Sequence, residues 1–132
     1  MYRSISLFAS VVVPAFMLAV ANPVIAQDKA KPKEVKATNS QKVWHDDDRV
    51  RVTETTTKPG ENGGNVVRGK RVTRYLQGGT QERTYADGRK EKIERKTGEV
   101  FVAGPDKEAY WVKNIGKTTM VTYTVTLKEP KK

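Results

Sequence analysis

The chain offers few groups that could carry out chemistry. Its single histidine, His45, stands in Trp44-His45-Asp46-Asp47-Asp48, where an imidazole beside carboxylates would make a general base or an outlying cation site. Successive residues of extended chain point to alternating sides, so three carboxylates in a row cannot converge without a tight loop. The preference of Asp for turns accounts for the run as a solvated turn ahead of a strand. The chain has no cysteine, and Ser40 is the only serine after residue 26, which excludes conventional Ser or Cys nucleophilic mechanisms. Gly60-Glu61-Asn62-Gly63-Gly64 lacks the lysine and the following helix of a phosphate loop and reads as a hairpin-type loop.

These residues sit among elements that read as strands. Asp48 to Thr57 places Val50 and Val52 on one face and Arg49 and Arg51 on the other, and Lys58-Pro59-Gly60 stops it. Asn65 to Leu76 is rich in β-branched residues, with Gly69 marking a bend, and closes at Gln77-Gly78-Gly79. Thr80 to Asn114 reads as a hairpin closed at Asp87-Gly88, a turn at Thr97-Gly98, a short strand from Glu99 to Ala103, a Gly-Pro-Asp corner and a strand through Tyr110-Trp111-Val112. Asp-Gly between strand-like runs predicts a two-residue type I′ turn with both central residues at positive φ. Asn114-Ile115-Gly116-Lys117 turns the chain into Thr118 to Lys128, where Val121, Tyr123, Val125 and Leu127 alternate with Thr122, Thr124 and Thr126. Short strands with turn signals at this spacing, and no sustained helical period, predict an all-β domain of about eight antiparallel strands.

At the N-terminus, Arg3, the apolar run from Ile5 to Val20 and Val24-Ile25-Ala26 read as a secretory signal peptide cleaved near Ala26, leaving no transmembrane anchor and placing the protein in the periplasm or outside the cell. Residues 27–41 read as a disordered basic segment, 42–128 as the folded domain and 129–132 as a basic tail. The mature chain of 106 residues would carry 24 basic against 15 acidic groups, a balance that favours anionic partners. Arg68, Lys70, Arg71, Arg74 and Tyr75 mix basic and aromatic groups as single-strand nucleic-acid faces do, but export removes that partner, so no nucleic acid is expected.

The order of parts, DRVRV, a KPGE turn, a strand ending in LQGG, a YADGRKEKIERKTGEV hairpin and an NIG turn before the closing strand, resembles a small single-domain bacterial cupin of the short β-alanine-degradation type. The likeness covers Val43 to Leu127 and rests on turn spacing, with Pro59, Gly60, Gly79, Asp87, Gly88, Gly98, Asn114 and Gly116 as the structural motif. It implies a cupin-like double-stranded β-helix, or jelly-roll, barrel. It also implies the places of a metal centre: the two H-x-H histidines fall on Asn65 and Val67, the following Glu on Arg71 or Val72, and the third histidine on Tyr110. None of these is a first-row metal ligand of the expected kind, so neither a metal nor another cofactor is expected. Asn65, Val67, Arg71 and Tyr110 would then line a pocket, with Arg71 at its rim suited to a small carboxylate or other anion. The resemblance further implies a homodimer formed by strand exchange near Val43. The expected function is a non-catalytic binding or structural module. The alternatives are an enzyme using a metal-free or atypically liganded cavity, or a cationic envelope protein that binds anionic lipid or polysaccharide.

Overall fold

In the computed structural model, which describes residues 35–130, the chain forms eight strands and no helix. They are β1 (Ser40–Asp46), β2 (Val50–Thr57), β3 (Arg71–Gln77), β4 (Gly79–Tyr85), β5 (Lys90–Arg95), β6 (Val100–Ala103), β7 (Tyr110–Asn114) and β8 (Met120–Leu127). Two antiparallel sheets result, one of five strands in the order β1-β2-β8-β3-β6 and one of three in the order β5-β4-β7. The all-β, eight-stranded, antiparallel expectation is met. The expected signal peptide and most of the basic arm lie outside the described residues. Among those described, no helix is long and apolar enough to cross a membrane.

Turn chemistry at the strand ends decides where the chain reverses. Glu61 N–H donates to Lys58 O at 3.0 Å, with Pro59 and then Gly60 (φ +85°) between them, so the KPGE segment is a type II turn in which Pro sets the first φ and Gly the second. The hairpin at Asp87-Gly88 is present, but its turn differs from the type I′ expectation, since no described residue other than glycine has positive φ. Gly88 N–H reaches Tyr85 O and Tyr85 N–H reaches Arg89 O, both at 3.0 Å. The connection is a three-residue loop, a type I turn closed by Gly88 at φ +86°. Asp87 contributes through its side chain, accepting from Arg89 N–H at 3.0 Å, rather than through a left-handed backbone.

Two further boundaries move. The run expected to be extended from Asn65 forms only an isolated bridge, Val66 to Tyr110, before β3 starts at Arg71. At the other end the fold starts before Val43. Thr38 and Asn39 both donate to Asn62 O, and β1 pairs with β2 from Ser40. The acidic turn between β1 and β2 is structural: Asp47 Oδ1 accepts from Arg49 and Val50 N–H at 2.8 and 2.7 Å. Those amides and the His45 ring, 2.8 Å away, hold the Asp47 carboxyl well below its ordinary range.

The two sheets are tied at one end by Asn114, the most deeply buried large side chain described, with 1% of its surface exposed. Its amide Nδ2 donates to Thr57 O at the end of β2 and to Thr118 O ahead of β8, both at 2.8 Å, while Oδ1 accepts from Gly116 N–H at 3.0 Å. Its backbone carbonyl accepts from Gly60 N–H in the type II turn. One side chain on β7 thus satisfies three backbone groups at the end of the larger sheet, one at the end of β2 and two in the turn that leads into β8. Replacing Asn114 with Ala leaves all three unpaired and is expected to cost about 2–4 kcal/mol by urea denaturation. Asn114→Asp, which keeps the shape but cannot donate to two carbonyls, is expected to cost at least as much.

A threonine and arginine cavity between the sheets

Strand alternation puts one set of side chains between the sheets and the other outside. The set inside is the polar one. Arg51, Thr53, Thr55 and Thr57 of β2, Arg71, Thr73 and Tyr75 of β3, and Met120, Thr122, Thr124 and Thr126 of β8 all line an interior cavity of about 580 Å³. The register lays them out in rows: Arg51, Thr126 and Arg71 face one another across the sheet, then Thr53, Thr124, Thr73 and Phe101, then Thr55, Thr122 and Tyr75. Within the second row the Thr73 and Thr124 hydroxyls lie 3.0 Å apart. Gln81 and Arg83 of β4 and Tyr110 and Val112 of β7 close the cavity from the smaller sheet. Threonine keeps the β-branched shape that suits strands while presenting a hydroxyl, which lets a strand turn this face inward without losing its extended backbone.

One cluster dominates. The Tyr110 ring lies between two guanidinium groups, Arg68 at 4.5 Å and Arg83 at 4.3 Å from its centre. Its hydroxyl accepts from Arg71 Nη2 at 2.8 Å and lies 3.4 Å from Asp106 Oδ1, which also accepts from Arg71 at 3.1 Å. Arg71 donates further to Gly69 O at 3.1 Å, and Asp106 Oδ2 accepts from Arg68 N–H at 2.9 Å. Three guanidinium groups therefore surround one tyrosine with one carboxylate among them. Burial lowers the Arg68 pKa from its ordinary value, with the charge of neighbouring Arg71 adding to the effect and Tyr110 and Asp106 opposing it. For Arg83 burial acts the same way but is outweighed by the Tyr85 hydroxyl, 3.2 Å from Nη1, and by the neighbouring phenols and Glu91, so its affinity for the proton rises. At the other side Arg95 stacks 4.4 Å from Phe101 and pairs with Glu99 at 2.6 Å. Arg83 Nε and Arg95 Nε are buried without a hydrogen-bond partner among the described residues.

The residues singled out from the sequence separate into two groups. Arg71 and Tyr110 are brought into direct contact, and Arg71 is a buried group with 7% exposure instead of a rim residue. Val67 lines the cavity at its exposed edge, with 62% of its surface accessible. Asn65 does not line it: its backbone N–H donates to Val35 O, and its side-chain Oδ1 is buried without a partner. Sequence reasoning missed Arg51, Arg83 and Arg95 as cavity residues. The signal was present in the alternation, since Arg51 shares a strand face with Thr53 and Thr55.

No family model matches the chain, and no curated protein sequence does. Solved structures do. A cupin domain from Bordetella pertussis Tohama I superposes with a TM-score of 0.63 at 21% identity, covering 72% of this chain and 98% of that one. The fold is that of a cupin domain. A second cupin neighbour, an RmlC-like protein with a double-stranded β-helix fold from Methanocaldococcus jannaschii, gives 0.55 at 14% identity over 72% of this chain and 84% of the other. The polyketide cyclase RemF from Streptomyces resistomycificus gives 0.52 at 17% identity over 76% and 70%. The metal centre that the cupin fold accommodates elsewhere does not fit the donor set here. The cavity lining contains no His, Cys, Asp or Glu, and its five arginines carry no lone pair for a cation and repel one. Among the described residues no three such ligands gather anywhere.

The Tyr110 hydroxyl is the group that the cluster would miss most. Tyr110→Phe keeps the ring between Arg68 and Arg83 but leaves a buried donor of Arg71 without its acceptor, and a loss of about 1–3 kcal/mol is expected in chemical denaturation. Tyr110→Leu, which also removes the stacking, is expected to lose more, by about 0.5–2 kcal/mol for each cation–π contact.

Proposed function

We propose that this chain is an exported binding module of cupin fold that takes a small carboxylate or related anion in its cavity without a metal ion. The observation that carries the reading is the lining itself, which has five arginines, seven threonines and no acidic side chain. An arginine fork matches a carboxylate with two parallel hydrogen bonds, and the lining supplies five such groups. Threonine hydroxyls can donate or accept, so they suit a ligand that carries hydroxyl or carbonyl groups beside its charge. The volume falls within the range of roughly 300–1,000 Å³ used by small-molecule sites.

Binding is favoured over catalysis because the lining holds no imidazole, thiol or carboxylate to serve as base or nucleophile. Export and a periplasmic or extracellular location rest on the charged, apolar and small-residue pattern of residues 1–26. The roles expected of Arg71 and Tyr110 stand within this proposal, with Arg83 added as a residue that contacts the ligand.

Thermal-shift titration of the purified protein with small mono- and dicarboxylates, each beside its neutral amide, tests the reading. A true ligand at about 100 times its Kd stabilises by about 2.7 kcal/mol, which raises the melting temperature of a domain this size by roughly 10 °C or more. At least one carboxylate is expected to do this while its amide does not, and Arg83→Met is expected to weaken the effect at least tenfold. Equal shifts from acid and amide, or no shift across the panel, would refute an anion site.

A further inference from the structure

The five arginines of the cavity are not spread evenly along it. Arg51 and Arg71 share the first row of the five-stranded sheet, and the Tyr110 ring, whose hydroxyl meets Arg71, carries Arg68 and Arg83. Three carboxylates partner this group: Asp46, 3.8 Å from Arg51 and 2.5 Å from Lys128; Asp106, 3.1 Å from Arg71; and Glu91, 3.4 Å from Arg83. Five cationic side chains thus meet three carboxylates, and the first-row end stays positive. Farther out, Arg89 holds Asp87 and Glu108 in exposed pairs that water screens. Arg95 stands apart. It enters from β5 opposite Gly79 and lies 5.5 Å from the Tyr75 ring of the third row and 4.4 Å from Phe101. Its Nη1 donates to Glu99 Oε1 at 2.6 Å, and Glu99 Oε2 accepts from Lys96 N–H at 2.9 Å, so this end is charge-balanced.

Hydroxyl groups lie between the two ends. Thr53, Thr73 and Thr124 form the second row, Thr55 and Thr122 belong to the third, and Gln81 faces them from the smaller sheet. The first row and the third are about 13 Å apart, since each step between rows is two residues of about 3.3 Å. The cavity therefore has a direction, from excess cation through hydroxyls to a neutral ion pair. A carboxylate at the first-row end meets guanidinium charge that nothing else balances. A second carboxylate at the far end would face Glu99, with the Arg95 charge already spent. A bare hydrocarbon chain between them would leave threonine hydroxyls out of water and unpartnered, which is how a polar site rejects an analogue that lacks hydroxyls. We infer that the ligand is a polyhydroxylated monocarboxylate, seated with its carboxylate toward Arg71 and Arg83 and its hydroxyl-bearing chain along Thr53, Thr73 and Thr124. The inference rests on the anion-site reading and adds which acid the site takes and which way round it lies.

Isothermal titration calorimetry of the full chain as purified, with the six-carbon probes D-gluconate, hexanoate, D-glucarate and sorbitol, tests the inference. Gluconate is expected to bind at least about tenfold tighter than hexanoate, which lacks the hydroxyls, and sorbitol, which lacks the charge, is expected not to bind. Glucarate, with the same hydroxyls and a second carboxylate, is expected to bind at least about tenfold more weakly than gluconate. Thr73→Val combined with Thr124→Val keeps the β-branched shape without the hydroxyls and is expected to narrow the gluconate-to-hexanoate preference at least about fivefold. Glu99→Gln leaves the Arg95 charge unbalanced and is expected to bring glucarate to within about threefold of gluconate. Both readouts are ratios measured on one protein, so a partial loss of folding does not imitate them. Hexanoate binding at least as tightly as gluconate, with both acids weakened by Arg83→Met, would overturn the inference and leave the anion site standing. So would glucarate matching gluconate on the wild type, or preferences that neither the threonine changes nor Glu99→Gln alter. No binding by any of the three acids would remove the anion site itself, and the inference with it.

Discussion

A guanidinium taken out of water costs several kcal/mol unless its donors are satisfied and its charge is balanced nearby. This barrel places four such groups, Arg68, Arg71, Arg83 and Arg95, around one cavity beside the more exposed Arg51, and much of its interior is arranged to partner them. Arg71 is satisfied by a backbone carbonyl, a tyrosine hydroxyl and a carboxylate; Arg68 and Arg83 stack on the same tyrosine; Arg95 pairs with Glu99. The carboxylates that balance them, Asp106, Glu91 and Glu99, lie outside the cavity lining. Glu91 and Glu99 balance the charge from the margins, while Asp106 sits within the cluster against Arg71 and Tyr110. The excess of arginine over these carboxylates is the basis of the proposed anion site.

An interior of this kind cannot hold two sheets together as an aliphatic core does. The buried apolar side chains described are three tyrosines and Met120, and several of the other buried residues are threonines. Cohesion comes instead from oriented polar contacts, above all the Asn114 amide at one end and the Tyr110 cluster nearer the other. Such contacts are directional, so they fix the spacing of the sheets and keep the cavity open where aliphatic side chains would collapse into it. The valines that would ordinarily fill the space face outward, and the same inversion that creates the cavity creates the apolar outer surface.

Much of the fold was legible because turn residues act locally. Pro59-Gly60 and Asp87-Gly88 sit at reversals of the chain, and the strand between each pair of signals has its expected period of two. Details of the turn were less legible, since Asp-Gly serves a type I′ turn and a type I turn with a following left-handed glycine equally well. The direction of each strand face was illegible for a stronger reason. Alternation separates Thr122, Thr124 and Thr126 from Val121, Tyr123 and Val125, but valine and threonine are nearly the same shape, and period alone does not say which set is inside. Arg83 and Arg95 were hidden for the same reason, because an arginine on a strand reads as a solvated charge until its neighbours across the sheet are known. Arg71 and Tyr110 were singled out by laying the chain on the ligand pattern that the cupin resemblance implies, and their contact appears only once β3 and β7 are brought together.

The central claim is that the space between the sheets is an electropositive cavity and not a filled core. A crystal of the protein soaked in bromide and measured at the bromine absorption edge addresses it directly. The account predicts an anomalous peak inside the barrel within about 4 Å of the Arg71 or Arg83 guanidinium, as a charge-paired anion requires. Bromide confined to the outer surface, with the Thr53, Thr73 and Thr124 side chains packed against the opposite sheet, would contradict it.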